Sequence, residues 1–195
     1  MSGMYTKERI RNSMLKLLIV NGYHNTRTRE IAENAGVSES TLFRYYNNKY
    51  ELFKDVIEEQ ASLFGNSSNE RTKSLITKYT GKSDICLPQL MKLVIADRIE
   101  LLFDYKYFVI LVLKERYSYI ILNDIFYSHI YASFSKIISF VSEKAVLKGE
   151  MNNIIGSEMY INSVLGAAIS NILFTDKKEL LNSSVVADII VDSIV

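Results

Sequence analysis

The stretch "AGVSESTLFRYYNNK", Ala35 to Lys49, sets a glycine and a serine two residues apart in front of a short segment with one aliphatic residue, Leu42. Gly36 can take the left-handed conformation that ends a helix without a Cβ penalty, and Ser38 is a good cap for the helix that follows. The stretch therefore predicts a helix, a tight turn and a helix. At about 100° per residue from Leu42, Ser38, Tyr45 and Tyr46 lie toward the core. Ser40 and Arg44 point directly away from it, with Thr41 and Phe43 on the flanks and Glu39 at the helix start. That outward face is short-chained apart from one guanidinium and one ring, which suits insertion into a groove better than packing against a protein. Arg bonds guanine O6 and N7 bidentately, Ser and Thr bond several base edges, and Phe presses on a thymine methyl. Lys49, just past the helix, is placed to reach a phosphate, as is Tyr45 if its hydroxyl emerges at the edge.

Working outward, the chain before this stretch predicts a first helix from about Thr6 to Asn21. Ile10, Met14, Leu17 and Leu18 share one of its faces, and it stops at Gly22. A second helix of about two turns begins after Thr26 or Thr28, either of which can cap it, and turns Ile31, Ala32 and Ala35 inward. From Ile10 through Phe53 the sequence resembles the DNA-binding domain of the TetR family of transcriptional regulators. The resemblance is carried by "NGY" at Asn21–Tyr23 and by "TRTREIAENAGVSESTLFRYYNNKYELF" from Thr26, with the ordered series Ile31, Ala32, Ala35, Gly36, Val37, Ser38, Thr41, Leu42, Tyr45, Lys49, Leu52.

The resemblance implies a homodimeric repressor or activator whose third helix lies in the major groove of double-stranded DNA, on a near-palindromic operator. Carried over position by position, Ser38, Glu39, Ser40, Thr41, Phe43 and Arg44 would read bases. Thr28, Tyr45 and Lys49 would hold phosphates, and Arg29 would touch either. Four positions depart from the family pattern: Phe43 stands where Tyr is usual, Arg27 where Thr is common, Tyr46 for Phe and Tyr50 for Glu.

Beyond this head the expected architecture is all-α. Residues 1–48 read as the helix-turn-helix domain, 49–64 as a connecting helix, and 65–195 as a helical effector-binding and dimerisation domain. "GNSSNE", Gly65 to Glu70, is a candidate break or kink in the connecting helix. A fresh helix starts near Asp84, with Pro88 in or near its first turn. It carries Leu87, Met91, Val94, Ile95 and Leu102 on one stripe, and Arg98 falls within that stripe, read as a snorkelling or surface-paired side chain or, more sharply, as a partner for an acidic ligand.

Rings crowd the middle of the body. Phe126, Ile130, Phe134, Ile137 and Val141 form one stripe of a long helix with Tyr127 and Tyr131 beside it. Stripes of this kind usually mean core. Apolar walls with a few tyrosine hydroxyls also suit a pocket for a small flat hydrophobic effector, and the expected lining is Met91, Ile95, Arg98, Phe126, Tyr127, Ile130, Tyr131 and Phe134. Near the C-terminus, Ile161, Leu165, Ala168, Ile169 and Ile172 lie on one apolar face, and "SSVVADIIVDSIV" from Ser183 is apolar on most sides, with Val186, Ile190 and Ile194 among its residues. Paired with their two-fold mates, these segments make a four-helix dimer interface. An alternative is a scaffold of the same fold whose body binds a protein partner in place of a small molecule.

Composition agrees with this and narrows the rest. Hydrophobic residues make up 48% of the 195, with a single Pro and 8 Gly, which favours helices. The net charge of +1 is uneven: residues 1–50 carry eight bases against four acids, leaving the remainder acidic. A modestly basic head fits a polyanion-binding module. The lone Cys86 forms no internal disulfide, and "MSGMYTKERIR" lacks the apolar core of a signal peptide, so a cytoplasmic protein is the default. The longest apolar runs fall far short of the roughly 20 residues needed to span a membrane. His24 and His129 have no i, i+4 His partner, and neither a GxSxG motif nor a phosphate-cradling glycine loop occurs. No metal, cofactor or catalytic role is expected.

Overall fold

A computed structural model of the protein describes residues 2–80 and 87–147, together with residues 165, 166, 169, 170 and 187. Helix α1 runs Ser2–Asn25, longer at both ends than its apolar pattern suggested, because the chain kinks at Gly22 (φ 73°, ψ 174°) and resumes one more turn. Ile10, Met14 and Leu18 are buried along one side, and the Ser13 hydroxyl donates to the Ile31 carbonyl at 2.8 Å. That bond seats α1 on α2 (Thr28–Ala35), whose Ile31, Ala32 and Ala35 face inward.

Neither threonine caps α2. Arg27 holds the extended cap conformation and its N–H donates to Glu30 Oε2 at 3.4 Å. Thr26 is instead buried, its hydroxyl donating to the Gly22 carbonyl at 2.7 Å. At the other end of α2, Gly36 sits at φ 64°, ψ 40°. The N–H groups of Gly36 and Val37 close the helix onto Glu33 and Ala32 at 3.0 Å each. Helix α3 (Glu39–Tyr45) follows, with Ser38 Oγ accepting from the Thr41 N–H at 3.1 Å.

Helix α4 (Lys49–Tyr79) starts at the cap Asn48, which accepts from the Glu51 N–H at 2.8 Å. It crosses Gly65 to Glu70 without a break, contrary to the composition of that segment. Tertiary packing overrides the weak propensities there: Ser68 and Thr72 are buried with their hydroxyls turned onto Arg98. The connector is thus one helix of 31 residues, about 46 Å long, and does not end near residue 64.

The body consists of α5 (Leu87–Asp104), α6 (Lys106–Glu115) and a third helical stretch with a defect in it. That stretch begins as α7 (Ile120–Ile125), widens into a π turn (Phe126–Tyr131) and continues as α8 (Ala132–Leu147). Met91, Val94, Ile95 and Leu102 of α5 meet Phe126, Ile130, Phe134, Ile137 and Val141 in one buried core. Asp84 and Cys86 lie outside the described residues. So do Ile161, Ala168, Ile172, Val186, Ile190 and Ile194 of the expected dimer face; Leu165 is buried within the protomer and Ile169 packs partly against the core.

Candidate nucleic-acid interface and body groove

The outer side of α3 matches its sequence geometry. Leu42 plugs the head core, while Ser40 and Arg44 are exposed and Phe43 keeps 43% of its surface open. The Arg44 guanidinium lies 5.5 Å from the Tyr45 ring centroid, and Tyr45 is itself half-buried against the core. Ser38 corrects one expectation, since it is exposed and not turned inward. As a cap its Oγ must face the helix's free N–H groups, and it also meets Ser40 Oγ and Thr41 Oγ1 at 2.8 Å each. Thr28 donates to the Glu39 carboxylate, tying α2 to α3, and Arg29 pairs with Glu33 at 2.8 Å on the exposed side of α2.

Lys49 is placed differently from the expected phosphate contact. Its Nζ donates to the carbonyls of Tyr23 at 2.7 Å and Thr26 at 2.8 Å, and lies 4.2 Å from the Tyr23 ring centroid. The ammonium thus caps the end of α1, where unpaired carbonyls gather, and burial pushes its pKa down. Tyr46 supplies a contact the sequence reading missed. Its buried hydroxyl donates to Asp55 Oδ2 at 2.6 Å, and Asp55 pairs with Lys7 at 3.1 Å and Arg11 at 3.8 Å, with Arg11 reaching Glu59 at 2.9 Å. Burial alone would raise the Asp55 pKa; the hydrogen bonds from Tyr46 and Lys7 and the charges of Lys7 and Arg11 outweigh it and hold the carboxyl below its ordinary value. Burial and the neighbouring carboxylate push the Tyr46 hydroxyl well up. The signal was present in the sequence, since a tyrosine in a slot usually filled by Phe needs an acceptor.

Head and body join through rings. Tyr23 packs on Phe53 at 4.6 Å and on Tyr119 at 5.1 Å, and the Tyr119 hydroxyl meets His24 Nε2 at 3.0 Å. His24 belongs to the last turn of α1.

The body holds a groove of about 550 Å³ between α4 and the α7–π turn–α8 stretch. None of the eight residues expected to line a pocket borders it. Met91, Ile95, Phe126, Ile130 and Phe134 are core, Tyr131 packs beside them, and Tyr127 faces out with 55% of its surface open. In the π turn the apolar residues recur every four positions, matching its wider pitch, so the ring stripe stays buried. The interleaved residues Ser128, His129, Ala132, Ser133 and Lys136 turn toward α4. Arg98 also departs from the snorkelling reading, being 0% exposed. Its Nε and Nη2 donate to Asp97 Oδ2, at 2.9 and 2.5 Å, and its Nη1 reaches Ser68 Oγ at 3.1 Å and Thr72 Oγ1 and the Ser133 carbonyl at 3.4 Å. Arg71 shares Asp97 and extends to Asp104 at 2.7 Å. Burial pushes the His129 pKa down, and its Nδ1 meets Ser128 Oγ at 2.8 Å. Among the described residues no helix is long and apolar enough to cross a membrane, and no three metal-ligating side chains come together.

A helix-turn-helix head whose α3 has an exposed outer side is carried by one long helix into an all-α body. Residues 11–56 match the family model for bacterial regulatory proteins of the tetR family. The sequence is 42% identical over 57 residues to the uncharacterized HTH-type transcriptional regulator YvkB of Bacillus subtilis, a match covering 29% of this chain and 30% of that protein. The chain thus matches under a third of that curated relative's length. Two solved structures share the fold along nearly the whole chain. A putative TetR-family transcriptional regulator from Mesorhizobium loti MAFF303099 superposes with a TM-score of 0.70 at 18% identity, covering 100% of this chain and 96% of that one. AibR, solved in complex with isovaleryl coenzyme A and operator DNA, superposes with a TM-score of 0.69 at 17% identity, covering 96% and 97%.

Proposed function

We propose that the protein is a homodimeric repressor that binds a near-palindromic operator through α3 and releases it when a small molecule enters the groove between α4 and α7–α8. The observation that carries the DNA-binding reading is the outer side of α3, where Ser40, Phe43 and Arg44 are exposed to solvent. Two such heads on a two-fold axis would meet half-sites about 34–36 Å apart. The effector reading is supported by AibR, a fold neighbour solved with both a ligand and its operator, and by the continuity of α4. Its first turn is pinned to α1 by Lys49, while Ala61, Gly65 and Asn69 further along border the groove. A molecule wedged against that wall would tilt a rigid lever whose other end sets the head. Tyr119, which bonds His24, lies two residues from Ile121 in the groove wall and gives a second link.

The test starts with selection of a duplex from random sequence by the full chain, followed by fluorescence anisotropy across a salt series. A selected site bound at least ~10³-fold tighter than random DNA, the lower range for specific recognition, is the expected result. Equal affinity for selected and random duplexes would overturn it. Light scattering should give a dimer at micromolar concentration.

A further inference from the structure

The groove's lining is mixed: Ala61, Ile121, Ile125 and Ala132 stand beside Ser62, Asn66 and Asn69, so an occupant must meet polar groups as well as apolar ones. The groove's charge, moreover, is sorted by end. Gly65 lies against His129, where an added Cβ would stand 3.1 Å from Cδ2, and Lys136 Nζ reaches Asn69 Oδ1 at 3.5 Å. The two walls therefore run in the same direction. Glu58 and Asp124, which precede Gly65 and His129 on their helices, therefore both fall toward one end, and Glu58 is only loosely tied to Lys54 at 3.7 Å on the surface. Lys136 stands at the other end, and beneath it Ser68 and Ser133 cover the fully buried Arg98.

We infer that the groove takes a linear zwitterion, an unbranched free peptide of about four residues, with its amine at Glu58 and Asp124 and its carboxylate at Lys136. The length follows from the walls: Glu58 to Asn69 is eleven helical residues, roughly 16 Å at 1.5 Å each, and an extended chain of about four residues covers ~13–14 Å of it at ~3.3–3.6 Å apiece, leaving the remainder to the Glu58 and Lys136 side chains. Asn66 offers one acceptor and two donors, and Asn69 two donors beside an oxygen that Lys136 already reaches, a set that complements a peptide backbone. This assignment rests on the groove's being the effector site, and the experiment separates the two.

The full-length wild-type chain is titrated by calorimetry with a pool of linear tetrapeptides free at both ends. The same pool is then used N-acetylated, and again C-amidated, with isovaleryl coenzyme A as a fourth probe. Each probe is also tested for release of the selected operator. The free pool should bind, and either block should weaken it about tenfold or more, a difference of 1.4 kcal/mol. Glu58→Gln should abolish the penalty of acetylation and Lys136→Gln that of amidation; both side chains are exposed, so folding is spared. Blocked pools binding as well as the free one, or no peptide binding at all, would overturn the ligand class. Operator release by isovaleryl coenzyme A alone would do the same while leaving the effector reading standing. Peptide binding that leaves the operator complex intact would support the site and defeat the effector reading.

Discussion

On the proposed function, base recognition would turn on Arg44, which combines an exposed guanidinium with a position directly opposite Leu42. Arg44→Ala should cost roughly 1–3 kcal/mol on the selected operator and flatten base preference at one position. Anisotropy against single-base operator variants checks this, and an equal loss on random DNA would remove its assigned role. Lys49 carries the opposite lesson. Its place after α3 suggested a phosphate, yet its ammonium ends α1. Lys49→Met should therefore lower folding stability by about 1.5–3 kcal/mol, the range for hydrogen bonds to a charged group, as read by urea denaturation. The salt slope of non-specific DNA binding should stay nearly unchanged.

Turns and caps decide how the elements meet. Gly36 ends α2 with positive φ, and an added Cβ would fall 2.4 Å from Arg9 Nη2, whose guanidinium donates to the carbonyls of Ala35 and Gly36. Gly36→Ala should therefore lose at least about 1–2 kcal/mol from the left-handed backbone alone, visible as a lower thermal midpoint and weaker operator binding together. The turn, the Ser38 cap and the inward Leu42 were legible because each is fixed by local backbone chemistry. The continuity of α4 was not. Gly65, Asn66, Ser67 and Ser68 look like a break when read singly, and they remain helical because Arg98 on a distant helix needs the Ser68 and Thr72 hydroxyls.

Two polar networks hold the molecule together across its joints. Around Asp55, α1, the end of α3 and α4 meet through Tyr46, Lys7 and Arg11. The folded pKa of Asp55 lies below its ordinary 3.8, so its stabilisation is complete above that pH and drains away as the pH falls through the folded value. Asp55→Asn should accordingly be less stable than wild type at neutral pH, with the gap closing on acid titration followed by circular dichroism. Around Arg98, α4, α5 and α8 meet. Asp97→Asn would strand a guanidinium that is 0% exposed, and its expected loss is about 3–5 kcal/mol by denaturant unfolding; Asp97→Glu should recover part of it.

By itself the sequence determined the head: helix, left-handed glycine, serine cap, and a leucine whose burial turns Ser40 and Arg44 outward, all set by contacts within a few residues. It also determined that the body carries an apolar, ring-bearing stripe; that the stripe is core and not a pocket wall was decided by the tertiary structure. Only the tertiary structure decided which other side of that helix faces α4. The π turn changes the pitch midway, and the groove's Glu58, Asp124, His129 and Lys136 come from helices whose relative direction no local pattern encodes. For the same reason Arg98 reads as a surface cation in one dimension and is a buried keystone in three, because its partners Ser68, Thr72 and Ser133 lie some thirty residues away along the chain.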